Sequence, residues 1–483
     1  ANQLIGKRRI NDPLLNSHLA ITINDARNAL RLTSRKYDAI VSQPSHPWTA
    51  GASHLFTREF FALVRSRLNQ DGVFVQWMNA EFLDEALLRQ LAATLLAEFE
   101  NVRIYQPSAL ALHFIASNGP IGIEHQLQAS GRPLMDDPLH YGRNGINSVQ
   151  DMAVALLVDE QGIRELAGEL QPITDNDNRM AVDSNVLATG LGVPQLTDIT
   201  AVVDPLLDPD SWLRQTMNDT GIIYIAWRLL YDAQIPRYEL LLGSIDQPAM
   251  RDLLRAMLAR YHGSESEALR LSANIGVGES VYQQAVFLRT IDHLSPAIQD
   301  AVIAKSLLEL GSKDSSLEAV LSGWLALVAG DWRQLSELEL RLASTRPADL
   351  WAPFAAQLRA EWRLQADDPD GELAREALNL IDQALLAYAT PKGYAQRARI
   401  GQKLGDAPVF IESVAFLLRA INNWLWSTEY YGASLAPAEL QWISGLLEDF
   451  AAELRRLHVL DDSGRADIVL AQLLEMQDYF VNY

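Results

Sequence analysis

The chain of 483 residues contains no cysteine. A disulfide framework, a thiolate zinc site and a cysteine nucleophile are excluded by that fact alone, and the composition fits a reducing compartment. No apolar run approaches the ~18 residues that a spanning helix needs. The start carries no basic, apolar, small-residue leader. No membrane segment is therefore expected within this sequence, and a soluble, cytoplasmic setting is. Basic residues are in deficit: 40 Lys and Arg against 61 Asp and Glu give a net charge of −21. Phosphate binding depends on clustered Lys and Arg, so nucleic acid is not an expected partner. The acidity suits a solvated surface or a cationic small molecule. There is no HExxH, no G-x-S-x-G, no P-loop and no strand–GxGxxG–helix unit. Gly190-Leu191-Gly192 and Gly276-Val277-Gly278 are isolated glycine pairs that read as turns. The nine histidines are scattered, and His46 and His54 lack a carboxylate at the helical spacing a metal site would use.

What remains is a folded, apolar-rich chain, 48% hydrophobic and 21% charged. Its length exceeds one core, and about two to four domains are expected. Three segments are expected: residues 1–118, 119–204 and 205–483. In the first, Leu19–Ile23 reads as a strand, Asp25–Leu32 as a helical turn and Asp38–Ser42 as a second strand. A loop with Pro44, Pro47 and Trp48 precedes a helix over Ser53–Leu68. Asn69–Gly72 reads as a turn and Val73–Trp77 as a third strand. Leu83, Leu87, Leu91, Leu95 and Phe99 mark one face of a long helix, and Val102–Tyr105 with Leu110–Ala116 a closing hairpin. Strands alternating with amphipathic helices predict a parallel sheet covered on both faces, here with an antiparallel edge.

The runs Asn24-Asp25-Ala26-Arg27, Tyr37-Asp38-Ala39-Ile40-Val41-Ser42-Gln43-Pro44-Ser45-His46-Pro47-Trp48, Leu55–Phe61 and Leu68…Gly72-Val73-Phe74-Val75-Gln76-Trp77 resemble the second half of a spermidine synthase. More closely, they resemble bacterial spermidine synthase-like domains that are often attached to membrane segments. The resemblance extends through Thr174-Asp175-Asn176-Asp177-Asn178 and covers about residues 1–185. It implies a partial methyltransferase-like Rossmann sheet. It also implies a nucleoside site at Asp25, Ala26 and Ser42 for decarboxylated S-adenosylmethionine or S-adenosylmethionine, Asp25 reading the adenine through a charged acceptor. Asp25 can equally serve as the N-cap of the following turn. A substrate site of Gln43, His46, Trp48 and Asp175 is implied for a polyamine or another cationic small molecule.

The departures bear on chemistry. Aminopropyltransferases carry Asp-x-x-Asp-Pro after the fifth strand: the first Asp helps deprotonate the attacking amine, and both help hold the polyamine. Gln43 and His46 stand at those positions. Gln43 can orient an amine but cannot take its proton. His46 can titrate near neutrality but sits where the family binds. A loop stiffened by Pro44 and Pro47 with no chemistry left is the plainer reading. The family's Gly-rich turn and ribose-binding acid would lie upstream of Ala1, so a longer protein or a completing chain is expected if the module works, and the strand at 19–23 would offer an open edge.

In the middle segment, Ser148–Leu157 and Gln161–Leu170 read as helices, Gly131–Pro133 and Gly142–Gly145 as loops, and Val193–Pro209 as a linker. Asp175, Asp177 and Asp183 lack the Gly and Glu spacing of a calcium loop and read as a solvated or substrate-facing acidic loop. In the last segment three apolar stripes stand out, Leu317–Val328, Leu373–Leu385 and Phe410–Ile421. Gly330-Asp331-Trp332 with Pro347 has the internal spacing of a tetratricopeptide repeat, and Gly-Asp recurs at Gly405-Asp406, near twice the ~34-residue period. An α-helical repeat array that binds a protein partner is expected, with Trp424, Trp426, Tyr430 and Tyr431 either lining a groove or filling the core. The whole reads as α/β then all-α: a catalytically degenerate spermidine synthase-like protein with a protein-binding helical module. The alternative is an active adenosyl-donor transferase completed by an upstream half. A homo-oligomer, and the soluble part of a membrane-attached bacterial protein, are both compatible with it.

Overall fold

The computed structural model describes residues 20–44, 46–49, 51–108, 110–122, 149–183, 193–294, 301–311, 315–430, 437–458 and 464–482. Ser45, the glycine loops at 131–145, Gly190–Gly192 and Tyr431 lie outside them, as do the side chains of Trp426 and Tyr430. The chain divides into two compact units, one of residues 21–134 and 148–261, the other built on residues 262–483.

The first unit holds a five-stranded mixed sheet of order β1-β2-β4-β3-β5. The strands are β1 (Tyr37–Ser42), β2 (Leu68–Asn79), β3 (Asn101–Ser108), β4 (Ala111–Ser117) and β5 (Leu156–Val158). Only β1 and β2 are parallel, joined by helix α2 (Arg58–Arg67); the β2–β4, β3–β4 and β3–β5 pairs are antiparallel. The parallel sheet with an antiparallel edge expected from the sequence is thus a mixed sheet in which antiparallel pairs predominate. The two-residue connection between β3 and β4 forces a hairpin, and β4 then occupies the position beside β2.

Several local expectations change for identifiable reasons. Residues 20–23 form no strand, and Ile23 is 98% exposed. Alternating β-branched residues suffice for a strand only when a neighbour takes the backbone hydrogen bonds, and β1 has no second partner among the described residues. Asn69–Gly72 does not reverse the chain: it is an irregularity within β2, between the pairs Tyr37↔Leu68 and Ala39↔Val73. The helix expected from Ser53 opens as a single 3-10 turn, Ser53–Leu55, before α2 begins. The helix expected to reach Leu157 ends at Ala155 (α4, Val149–Ala155), because Leu156–Val158 pairs with β3.

Helices α1 (Ala26–Leu32), α2, α3 (Glu85–Leu96) and α5 (Glu160–Ala167) join the sheet in one core. Phe60, Phe61 and Phe99 surround Phe74 of β2, with centroid distances of 6.2, 5.5 and 6.0 Å. The expected linker at 193–209 contains a helix, Val193–Thr200, and a fully buried Asp204 and Leu206. Asp204 is gripped by Arg237, so the helix Ile235–Gly243 belongs to this unit and the compact part runs on to Tyr261.

The second unit is helical. Its successive helices Ala352–Gln365, Glu372–Ala387, Pro391–Leu404 and Ala407–Tyr430 have 14, 16, 14 and 24 residues, so their lengths do not mark out one fixed period. The recurrent Gly-Asp has a local cause. Gly330 and Gly405 end their helices in the left-handed conformation at φ 68° and 67°. The next residue caps the following helix: Asp331 accepts from Gln334 N–H at 2.9 Å, and Asp406 from Val409 N–H at 3.0 Å. Any tight helix–helix junction can use that pair. No helix among the described residues is long and apolar enough to cross a membrane.

Candidate functional site

The carboxyl ends of the parallel strands β1 and β2 gather most of the residues singled out from the sequence, as expected where ligands bind in α/β proteins. Ser42 ends β1, and Gln43 and His46 follow it, both exposed. Beyond the buried Pro47, Trp48 stacks on the His46 ring at 5.1 Å. It meets Phe82, just past the end of β2, edge-on at 4.7 Å. The loop after β1 therefore leans on the turn after β2 through aromatic contacts, which hold a shape without fixing any charge.

Asp25 is the N-cap of α1, its carboxylate accepting from Asn28 N–H at 2.7 Å, and Ala26 opens the helix. The capping role inferred from sequence is what the geometry displays; the side chain stays exposed.

Asp175 lies 148 residues from Arg27 in the chain, yet the two form a bidentate pair with N–O distances of 2.8 and 2.6 Å. Thr57 Oγ1 donates to the same carboxylate at 2.8 Å, and His54 Nδ1 lies 3.3 Å from it. Arg27 also donates to His54 O at 3.2 Å, and Asp175 N–H donates to Glu59 at 3.0 Å. One ion pair thus ties the start of α1, the loop after β1, the start of α2 and the acidic stretch together. The Arg27 guanidinium holds the Asp175 carboxyl well below the usual carboxylate range; burial opposes this, and the Thr57 and His54 contacts assist it. Asp175, expected in a solvated or substrate-facing loop, keeps a side chain that is 32% exposed and is paired with Arg27. Arg27, His54, Thr57 and Glu59 were not assigned to this carboxylate from sequence, and their separation along the chain offered no signal.

Gln76 of β2 is a further site residue that sequence reasoning passed over. It pairs in register with Ser42 and is fully buried. Its Nε2 donates to Trp77 O at 3.1 Å and Ser42 O at 3.4 Å, while Oε1 has no partner. The signal was available: the inward-facing positions of β2 are Phe74, Gln76 and Met78, and an amide at a buried period-2 position needs a reason.

Asp175→Asn is expected to cost about 1 kcal/mol at neutral pH, the modest value of a pair that solvent still reaches. A carboxyl whose folded pKa lies below its unfolded value contributes stability above the unfolded pKa and loses it as pH falls. The gap between wild type and variant in urea unfolding should therefore hold from pH 7 to about pH 5 and narrow progressively as pH falls below about pH 4.

The comparisons with known proteins concern this same end of the chain. The family described as "Spermine/spermidine synthase domain" matches residues 2–109. A polyamine aminopropyltransferase of Erwinia tasmaniensis is 44% identical over 69 residues, which is 14% of this chain and 24% of that protein. The chain thus spans about a quarter of the length of the curated relative it matches. The matched residues carry β1, β2 and β3 of the mixed sheet. Residues 2–109 are thus similar to the spermine/spermidine synthase domain family.

Proposed function

We propose that this protein carries a spermidine synthase-like module that has lost aminopropyl transfer, joined to a helical array of tetratricopeptide type that binds a protein partner. The observation that carries the reading is the pair Gln43 and His46. The resemblance puts carboxylates at both positions, and the loop that bears them still sits at the end of β1. Gln43 cannot take up a proton at any working pH, and neither residue supplies a fixed negative charge for an ammonium substrate. Asp175, the remaining acid the resemblance assigns to the substrate, is engaged bidentately by Arg27. A polyamine bound there would compete with that pair for the carboxylate. The acidic surface and the helical unit then point to recognition of a partner rather than to turnover.

Titration calorimetry with decarboxylated S-adenosylmethionine, S-adenosylmethionine and methylthioadenosine tests this. The expected result is no heat with any of the three. Heat with one of them, lost in Asp25→Ala, would replace this reading with that of an adenosyl-donor transferase using Asp25 on its adenine.

A further inference from the structure

The helical unit carries a half-open cavity of about 560 Å³, a size suited to a small organic ligand. Its apolar wall includes Phe354, Tyr388, Tyr394, Phe416, Trp424 and Trp442. Of the aromatics that suggested a groove from sequence, Trp424 thus does face a cavity.

The polar atoms around it are unbalanced. Gln357, 2% exposed, and Lys392 both border the cavity, and Gln357 Nε2 and Lys392 Nζ are sealed from solvent without a hydrogen-bond partner. Outside the lining, Trp324 Nε1 and Gln396 Oε1 are also without hydrogen-bond partners, and Gln396 Nε2 donates to Gln357 O at 2.8 Å. Lys392 Nζ rests 3.2 Å from the centroid of the Trp324 ring. A ring face is a weak substitute for an acceptor, and a buried ammonium without one is costly. Burial accordingly pushes the Lys392 pKa well down, with Glu361 opposing and Arg399 reinforcing the shift. Asp292 and Glu439 also border the cavity, but each is engaged in interactions of its own; Arg419 borders it beside the Phe416 ring. The unmet demand is for acceptor oxygens.

We propose that this cavity binds a small organic carboxylate with a planar apolar body, the carboxylate accepting from Lys392 Nζ and Gln357 Nε2 and the body lying against the aromatic wall. Lysine's four-carbon stem is flexible, and that of Lys392 is partly exposed, so the amine can leave the Trp324 face for a better partner. The occupant's charge is opposite to that of a polyamine, so the site is independent of the spermidine synthase-like module.

Three probes of one shape and different charge test the proposal by calorimetry on the full chain: indole-3-propionate, its neutral amide, and tryptamine. The carboxylate should bind, and the amide and the amine should bind at least roughly 10-fold more weakly, the range set by hydrogen bonds to a charged group. Lys392→Met keeps the stem and removes the sealed amine. It should melt no lower than wild type and lose 10- to 100-fold in carboxylate affinity by the same reasoning. Gln357→Met gives a second variant with the same direction of change. No binding by any probe, equal binding by all three, or unchanged carboxylate affinity in the two variants would overturn the proposal.

Discussion

Arg237→Met should unfold with about 3–5 kcal/mol less stability than wild type at neutral pH, the usual cost of leaving one partner of a buried ion pair uncompensated. The side chains of Arg237 and Asp204 are 2% and 1% exposed. The guanidinium reaches Asp204 through two bonds, of 2.6 and 3.0 Å, and donates to the carbonyls of Val154 and Leu156 as well. Removing it strands two main-chain acceptors and a carboxylate together, beside β5 and the turn that follows helix Val193–Thr200. In the variant, burial is left to push the Asp204 carboxyl up. A group whose folded pKa is raised favours folding at low pH and loses that contribution as pH rises through the folded pKa. The deficit of Arg237→Met should therefore shrink between pH 7 and pH 4 in urea titrations. A deficit below about 1 kcal/mol, the level of a surface pair, would mean that the pair does not hold residues 201–243 onto the sheet.

That pair also shows where sequence reasoning stops. Asp204 lies in an Asp- and Pro-containing stretch that composition assigns to a linker. Its burial follows from one arginine 33 residues on, and no local pattern announces it. The Arg27–Asp175 pair is hidden for the same reason over a longer separation. Short buried strands pose a different difficulty: Leu156–Val158 continues an apolar run that a helix would also produce, and periodicity over three residues cannot separate the two. By contrast, β1 and the loop after it were legible, because an apolar strand that ends at prolines can hardly continue in any other way. The helix face of Leu87, Leu91 and Leu95 and the β3–β4 hairpin were legible too, from period and turn chemistry. The Gly-Asp recurrence, read from sequence as a repeat spacing, marks helix ends and the caps that follow them.

The largest effect expected on activity is the absence of aminopropyl transfer itself. The attacking amine must lose a proton, and losing a positioned base typically costs about 10²- to 10⁴-fold. On the proposed reading, Gln43 stands where the family has its base and His46 where it has the second carboxylate, while Asp175 is paired with Arg27. The aromatic contacts among His46, Trp48 and Phe82 keep the loop in place at the end of β1 without restoring any of that charge. Methylthioadenosine released from decarboxylated S-adenosylmethionine in the presence of putrescine, quantified by chromatography, tests the claim most directly. The account predicts no release above a protein-free control; methylthioadenosine formed in step with an equal amount of spermidine would contradict it.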